Sequence, residues 1–157
     1  MAPAAGTEEA EAATGVNNLG GVLRDLGDLA GARAAFERAL AIDEQAFGPE
    51  HPKVAIRVNN LGSVLRVLGD LAGARAAYER ALAIDEQAFG PEHPNVARDV
   101  NNLGLVLRAL GDLAGARAAY ERALAILEQF LPAGHPKIAT VQRHPAVVKA
   151  AMESDGP

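Results

Sequence analysis

Asn59-Asn60-Leu61-Gly62 also stands at residues 17–20 and 101–104, so the same four residues recur every 42 positions of this 157-residue chain. The identity extends beyond the motif, because residues 17–51 and 59–93 differ at only three of 35 positions. A fixed period of this length is typical of stacked supersecondary units that contact mainly their neighbours. Such arrays present a long surface rather than one deep cleft. The repeat therefore predicts a binding protein rather than an enzyme.

Each repeat has the sequence pattern of two antiparallel helices, here called the leading and the trailing helix. In the middle copy, His51-Pro52 opens the leading helix, where the missing N–H of proline needs no partner. Apolar residues then follow at spacings of three and four, as on one helix face. Gly69-Asp70 separates the two helices, because glycine suits a helix end and aspartate caps the next helix. The trailing helix is predicted over about residues 71–89.

The contact between the two helices is predicted to depend on small side chains. Gly62, Ala74 and Ala81 fall at facing positions, where a larger side chain would push the helices apart. The larger residues expected in this core are Val58, Leu61, Leu65, Leu68 and Tyr78.

The small and large residues of this pattern resemble the signature of the tetratricopeptide repeat family. They are Leu61, Gly62, Leu65, Ala74, Tyr78 and Ala81. The usual unit has about 34 residues, and the longer unit found here is similar to the repeats of kinesin light chain and of related bacterial proteins. The resemblance implies an all-α, right-handed solenoid of three antiparallel hairpins with a C-terminal capping helix. It also implies that the leading helices line a concave groove.

The period sets the predicted boundaries. These are a disordered tail at 1–7, repeat 1 at 8–49, repeat 2 at 50–91, repeat 3 at 92–133, a degenerate capping helix at 134–152 and a disordered tail at 153–157. Thr7 is expected to cap the first helix. Pro145 is expected to break the last one, which would pack on Leu127 and Phe130. Alternatively, the chain is an excised piece of a longer array with sticky ends.

Polar residues of the leading helices fall opposite the predicted core at about 100° per residue, and we expect them to face the groove. The predicted groove residues are Asn17, Asn18, Arg24, Asn59, Asn60, Ser63, Arg66, Arg98, Asn101, Asn102, Leu105 and Arg108. Asparagine both donates and accepts hydrogen bonds, so the repeated pairs would hold the backbone of an extended peptide, as the resemblance to kinesin light chain implies. The residues that vary between repeats would read its side chains.

The repeated arginines form a basic stripe in a chain of net charge −5, which favours an acidic peptide. In the alternative interpretation, the asparagines bridge neighbouring hairpins and the arginines are merely solvated. No cofactor, metal or catalytic site is predicted. His51, His93 and His135 recur in successive repeats, about 8–10 Å or more apart, and each is expected to shape the start of a helix instead.

Other functional classes are less well supported by composition. The acidic balance and the lack of groove aromatics disfavour nucleic acid. No apolar run approaches the ~20 residues that cross a bilayer, so no membrane partner is expected. The absence of a signal peptide and of cysteine favours the cytoplasm. A self-assembling array stacked end to end, a sensor or regulatory fragment of a signalling protein, and an idealised laboratory repeat remain alternatives.

Overall fold

The computed structural model describes residues 5–154, and this part of the chain contains seven α-helices and no strand. The helices are α1 (Ala5–Asp25), α2 (Leu29–Phe47), α3 (Pro52–Val67), α4 (Leu71–Phe89), α5 (Pro94–Ala109), α6 (Leu113–Phe130) and α7 (Pro136–Ser154). The leading helices of the three repeats are α1, α3 and α5, and the trailing helices are α2, α4 and α6. The predicted all-α repeat fold is therefore confirmed.

Each hairpin turn is built by a glycine followed by an aspartate. Gly69 has a φ of 89°, in the left-handed region that glycine enters without steric cost. Asp70 then caps α4, since its Oδ1 accepts a 2.9 Å hydrogen bond from the N–H of Gly73. The turns at Gly27 and Gly111 have the same conformation. The predicted turn chemistry is thus confirmed in all three repeats.

The start of three helices is shaped by histidine, as predicted. Nδ1 of His51 accepts a hydrogen bond of 3.1 Å from the N–H of Lys53, and His93 and His135 do the same with the residue two positions on. A proline follows each histidine and needs no hydrogen-bond acceptor in the first turn.

A buried aromatic ring packs on a leading-helix glycine in every hairpin. The pairs are Gly20–Phe36, Gly62–Tyr78 and Gly104–Tyr120. A Cβ atom added to Gly62 would lie 2.8 Å from Cε1 of Tyr78, whose side chain is only 2% exposed. Ala74 and Ala81 are fully buried on the facing helix. Close approach of the two helices therefore requires the small residues that the sequence predicted.

The core of the middle repeat differs from the prediction at two residues, Leu68 and Val64. Leu68 is 42% exposed because α3 ends at Val67, so Leu68 lies in the turn rather than on the apolar helix face. Val64, in contrast, is fully buried and packs in a cluster with Phe36 of the preceding repeat. A leading helix therefore buries a second face against the neighbouring hairpin, which the pattern of one amphipathic face did not predict.

The chain ends also differ from the prediction. Helix α1 begins at Ala5 and contains Thr7, so Thr7 does not cap it, and residues 153–154 belong to α7. Gly6 and Thr7 are weak helix formers, but residues 8–13 are all Glu or Ala, and acidic side chains favour a helix N-terminus, so the helix extends back to Ala5. Residues 1–4 and 155–157 of the two predicted tails lie outside the described residues.

The predicted break at Pro145 is wrong, because α7 continues through it. Proline removes one helical hydrogen bond, but buried residues on both sides of it hold the helix in place. Val141 is 5% exposed and Val148 is fully buried against Tyr120 and Leu107. Leu127 is buried as expected, whereas Phe130 is 55% exposed and is not covered by α7.

The chain divides into two compact units, and the division falls inside α4, between Ile84 and Asp85. The core of the N-terminal unit is formed by Val54, Ala55, Val58, Ala77, Ala81 and Ile84. The core of the C-terminal unit is formed by Leu107, Ala116, Tyr120 and Val148. Within residues 5–154, no helix combines the length and apolar character needed to cross a bilayer.

Candidate functional site

The predicted groove asparagines form hydrogen bonds between successive leading helices. In the N-terminal unit, Nδ2 of Asn60 on α3 donates to Oδ1 of Asn17 on α1 at 3.0 Å. In the C-terminal unit, His144 on α7 lies one period after Asn102, the second asparagine of its pair. Nδ1 of His144 lies 3.2 Å from Oδ1 of Asn101. This is the bridging role that the sequence left open as an alternative.

Bridging does not use all the polar atoms of these amides. A carboxamide carries two N–H donors and an oxygen acceptor, and the Asn17–Asn60 bond occupies one oxygen and one N–H. The Nδ2 group of Asn17 and the Oδ1 atom of Asn60 take no part in it. Asn18 is exposed, while Asn59, Asn101 and Asn102 are half-buried. The arrangement can therefore both hold the helices together and present amide groups at the surface.

The three repeated arginines have different surroundings, so the predicted stripe is not uniform. Arg24 lies 3.6 Å from the exposed carboxylate of Asp25. Arg66 is half-buried beside Tyr78. Burial raises the pKa of this tyrosine, and the neighbouring Arg66 and Ser63 oppose the rise. Arg108 is exposed.

Two residues of the C-terminal unit have surroundings that the predicted groove did not include. Leu105 packs against the apolar cluster around Tyr120, to which α7 contributes Val148. His144, beside Arg108, was not singled out as a site residue. Its pKa is lowered chiefly by burial and further by the charge of Arg108, so the imidazole that meets Asn101 is favoured in its neutral form.

Arg98, a predicted groove residue, bonds two buried aspartates that the sequence did not predict as its partners. Its Nη2 atom lies 3.1 Å from both Oδ2 of Asp85 and Oδ1 of Asp99, and its Nε atom lies 3.2 Å from the latter. Both aspartates are at most 1% exposed. Burial, together with a side-chain hydrogen bond that the protonated form of Asp99 donates to Asp85, raises the pKa of Asp99 to about 8. Asp99 is therefore mainly protonated at pH 7, and a single negative charge faces Arg98.

The equivalent position in the N-terminal unit holds an ordinary ion pair. Asp43 is fully buried, and its Oδ2 accepts a 2.7 Å hydrogen bond from Nε of Arg57. Asp85 follows Asp43 by one period, but Asp99 stands one period after Arg57, so a cation is replaced by an acid. The contact between Asp85 and Asp99 was not predicted from the sequence. The signal was a charge reversal at one position while its partner kept its sign.

The structure gathers several predicted site residues around two surface cavities, one in each unit. The N-terminal cavity has a volume of about 390 Å³ and includes Asn17, Asn18, Arg24 and Asn60 among its lining residues. The C-terminal cavity has a volume of about 450 Å³ and includes Arg98 and Asn101. Among the residues that the structure describes, no group of three or more His, Cys, Asp or Glu side chains is arranged to hold a metal.

The fold is shared with several solved repeat proteins. BtubC (BKLC) from P. vanneervenii is 28% identical with a TM-score of 0.80, and the match covers 88% of this chain and 55% of BtubC. A second similar structure is a putative kinesin light chain from Podosopora anserina with nearly identical TPR-like repeats. Its sequence identity to this chain is 22% and the TM-score is 0.84, and the match covers 92% of this chain and 68% of that one. This chain thus spans little more than half the length of BtubC.

A third similar structure contains a bound peptide. The first TPR of Spaghetti (RPAP3), bound to the HSP90 peptide SRMEEVD, is 17% identical with a TM-score of 0.69, and the match covers 92% of this chain and 95% of that one. None of the curated proteins is significantly similar to this chain in sequence. The tetratricopeptide repeat family model, however, matches residues 10–62 and 54–129. The repeats, the hairpins and this match together show that the chain belongs to the tetratricopeptide repeat family.

Proposed function

We propose that this chain is a protein-interaction module that binds an extended peptide on the leading-helix face of its units. The observation that carries the proposal is the N-terminal cavity of about 390 Å³, in which Asn17 and Asn60 retain amide groups beside exposed Asn18. A peptide backbone offers alternating donors and acceptors, and carboxamides can meet both. The Spaghetti domain, which has the same fold, is bound to a peptide in its solved structure.

Arg24 and Asp25 both line the N-terminal cavity, and Arg24 is the group that an acidic peptide would meet. Nε of Arg24 lies 3.6 Å from Oδ1 of Asp25, and the two side chains are 39% and 77% exposed. Exposed ion pairs of this kind contribute about 0–1 kcal/mol, so a carboxylate of the ligand can replace Asp25 at little cost. A guanidinium group can also bind a carboxylate through two parallel hydrogen bonds.

The proposal is tested by selection from a phage library of random 12-residue peptides on the immobilised protein. We expect enriched peptides that contain acidic residues and bind in fluorescence anisotropy. Replacing both Asn17 and Asn60 by Ala should weaken their binding about tenfold or more, because at least one amide contact to the peptide is lost, worth roughly 1–3 kcal/mol.

The matched control is Glu37→Gln on α2. Glu37 pairs with Arg33, and neither residue lines the N-terminal cavity. Circular dichroism melts of the double Asn variant show whether the hairpins remain folded. Peptides that bind the folded double variant as tightly as the parent chain would refute the asparagine role. A selection that enriches no peptide at all would refute the proposed function.

A further inference from the structure

One face of α1 is apolar and exposed. It consists of five positions at alternating spacings of three and four residues, and we call it the outer α1 face: Ala12, Gly15, Leu19, Val22 and Leu26. Leu19 is 53% exposed, Val22 55% and Leu26 77%. Spacings of this kind align side chains along one line of a helix, as in helices that pair side by side. The outer α1 face therefore has the pattern of a helix–helix contact, yet its large side chains are exposed to solvent.

The same register of the repeat is buried in two other helices of the chain. Val64 lies one period after Val22 and is fully buried with Phe36 of the preceding hairpin. Val148 lies three periods after Val22 and is fully buried against Tyr120. Terminal units of solenoids normally present a polar outer surface, and α1 does not. The outer α1 face is therefore suited to packing on helices of its own kind.

The end-to-end stacking considered from the sequence would place the outer α1 face of one copy on the third hairpin of another. That surface is already covered, because Val148 of α7 packs on Tyr120 and Leu107. A contact between two different surfaces would also extend into open chains, whereas a surface that pairs with itself closes as a dimer. The outer α1 face of a second copy, in contrast, has no helix over it that must first be displaced.

The outer α1 face is complementary to itself when two copies run antiparallel. Its small residues stand in the first half of the helix, and its large residues follow them. When Leu19 of each copy lies beside Val22 of the other, helix geometry brings Leu26 opposite Gly15. Gly15 has no side chain, and the space where its Cβ would stand is open. The large side chain of one copy can therefore occupy the space at the glycine of the other.

Charges around the outer α1 face also favour the antiparallel arrangement. Glu8, Glu9 and Glu11 are exposed at the start of α1. A parallel pair would bring the two acidic starts together, where like charges repel, whereas an antiparallel pair places them at opposite ends. Asn18 and Asp25 flank the face and are exposed. The antiparallel pair brings Asn18 of one copy near Asp25 of the other, and the amide can donate a hydrogen bond to the carboxylate.

We propose that two copies of this chain pair through their outer α1 faces, antiparallel and about a two-fold axis. The partner is thus a second copy of the chain, and the inference goes beyond the proposed function. A contact through one helix of each copy is smaller than the roughly 1,200–2,000 Å² of stable complexes, so the pair is reversible, with a dissociation constant of about 10–100 μM.

The pair has a consequence for the proposed peptide site. Asn18, Val22 and Asp25 lie on or beside the outer α1 face, and all three also line the N-terminal cavity. A second copy would cover them, so self-association and peptide binding in this cavity exclude each other. This consequence rests on the proposed function, whereas the pairing itself does not.

Analytical ultracentrifugation of the parent chain tests the pairing, at concentrations from tenfold below to tenfold above the expected dissociation constant. We expect the mass to rise from that of one chain to that of two and to stop there. A mass that stays at one chain over the whole range would overturn the proposal. A mass that grows beyond two chains would also overturn it, because it would indicate contact between two different surfaces.

A charge on the outer α1 face should prevent the pairing without unfolding the chain. Leu26→Lys changes an exposed side chain and should weaken association about tenfold or more, because each copy would bring a charge into an apolar contact. The matched control is Leu68→Lys, one period later in the sequence, where the side chain is 42% exposed and lies outside this face. Circular dichroism shows that both variants are folded. Association of Leu26→Lys as tight as that of the parent chain would exclude this face.

Mixing two variants tests the two-fold axis, because the Leu19 side chains of the two copies lie close to it. Leu19→Lys and Leu19→Asp should each remain monomeric, since like charges would meet at the axis. Their equimolar mixture should form dimers, since opposite charges then meet. A mixture that stays monomeric where the parent chain is dimeric would show that the two copies do not use the same face.

The peptides enriched from the 12-residue library test the consequence for the peptide site. Saturating peptide should convert dimers of the parent chain to monomers. Dimers that bind the peptide as tightly as monomeric Leu26→Lys would refute the mutual exclusion, while the pairing would stand on the ultracentrifugation. A library that enriches no peptide refutes the proposed function, and the masses of the parent chain and its variants still decide the pairing.

Discussion

Asp99 is the residue at which this chain departs most sharply, in charge, from its own repeat. An arginine occupies the equivalent position of repeat 2, and its buried aspartate partner persists as Asp85. Two buried carboxylates cannot both ionise at low cost, so one retains its proton while Arg98 compensates the other. The position illustrates how two neighbouring substitutions, Ile56 to Arg98 and Arg57 to Asp99 one period on, convert an ion pair into a proton-binding site.

This arrangement predicts a dependence of stability on pH. The folded pKa of Asp99, about 8, lies above its ordinary value of 3.8, so the folded chain binds the extra proton between these values. Its contribution to the free energy of unfolding therefore falls as the pH rises from about 4 to about 8, and changes little above that. Asp99→Asn keeps a hydrogen-bond donor without the charge. We expect it to be more stable than the parent chain at pH 9, by on the order of a few kcal/mol, and the difference to shrink towards pH 5.

Urea unfolding at pH 5, 7 and 9 measures this difference. The matched control is Asp25→Asn, because the side chain of Asp25 is 77% exposed. Its unfolding midpoints should follow those of the parent chain at every pH. Parallel pH profiles for Asp99→Asn and the parent chain would show that Asp99 is ionised in the folded state.

At the scale of the element, each hairpin depends on the contact between one glycine and one ring. The repeat keeps the glycine unchanged, while the ring is phenylalanine in repeat 1 and tyrosine in repeats 2 and 3. Alanine at this position would make the isolated leading helix more stable, but its Cβ atom would clash with the ring. The tertiary contact therefore outweighs the local propensity.

Substituting two glycines of leading helices by alanine separates these effects. Gly62→Ala places a Cβ 2.8 Å from Tyr78 and should destabilise the chain by about 1–3 kcal/mol. Gly15→Ala meets nothing within 4 Å and should stabilise α1 by about 0.5–1 kcal/mol. Thermal melts followed by circular dichroism measure both. Shifts of the same sign would contradict the role of the glycine–ring contact.

At the scale of the whole molecule, the chain consists of two compact units, each with its own apolar core. Repeat proteins are stabilised chiefly by contacts within and between adjacent repeats, so local damage need not unfold the entire array. The C-terminal core depends on Val148, which α7 supplies and which is fully buried.

Val148→Asp should therefore loosen the C-terminal unit selectively, because a carboxylate would be buried without a partner. We expect hydrogen exchange to accelerate about tenfold or more in α5, α6 and α7. Exchange in α2 and α3 should remain close to that of the parent chain. The control is Val147→Asp, since Val147 is 43% exposed on the same helix. Equal acceleration throughout the chain would show that the two units unfold together.

The sequence by itself determined the helical hairpins, their turns at Gly69-Asp70 and the caps at histidine and aspartate. These features follow from short-range chemistry: helical periodicity, glycine conformation and side-chain bonds to backbone a few residues away. The break predicted at Pro145 does not occur, because buried residues on both sides of the proline hold a single helix together.

Only the tertiary structure decided which side chains meet between helices. Asn60 bonds Asn17, 43 positions away, and Asp99 faces Asp85 from the next helix. The side chain of Phe130 is exposed, although its apolar character predicted burial. Such contacts depend on the rotation and spacing of packed helices, and the amphipathic pattern of one helix specifies only its own buried face. The candidate residues could therefore be named from the repeat, while their partners could not.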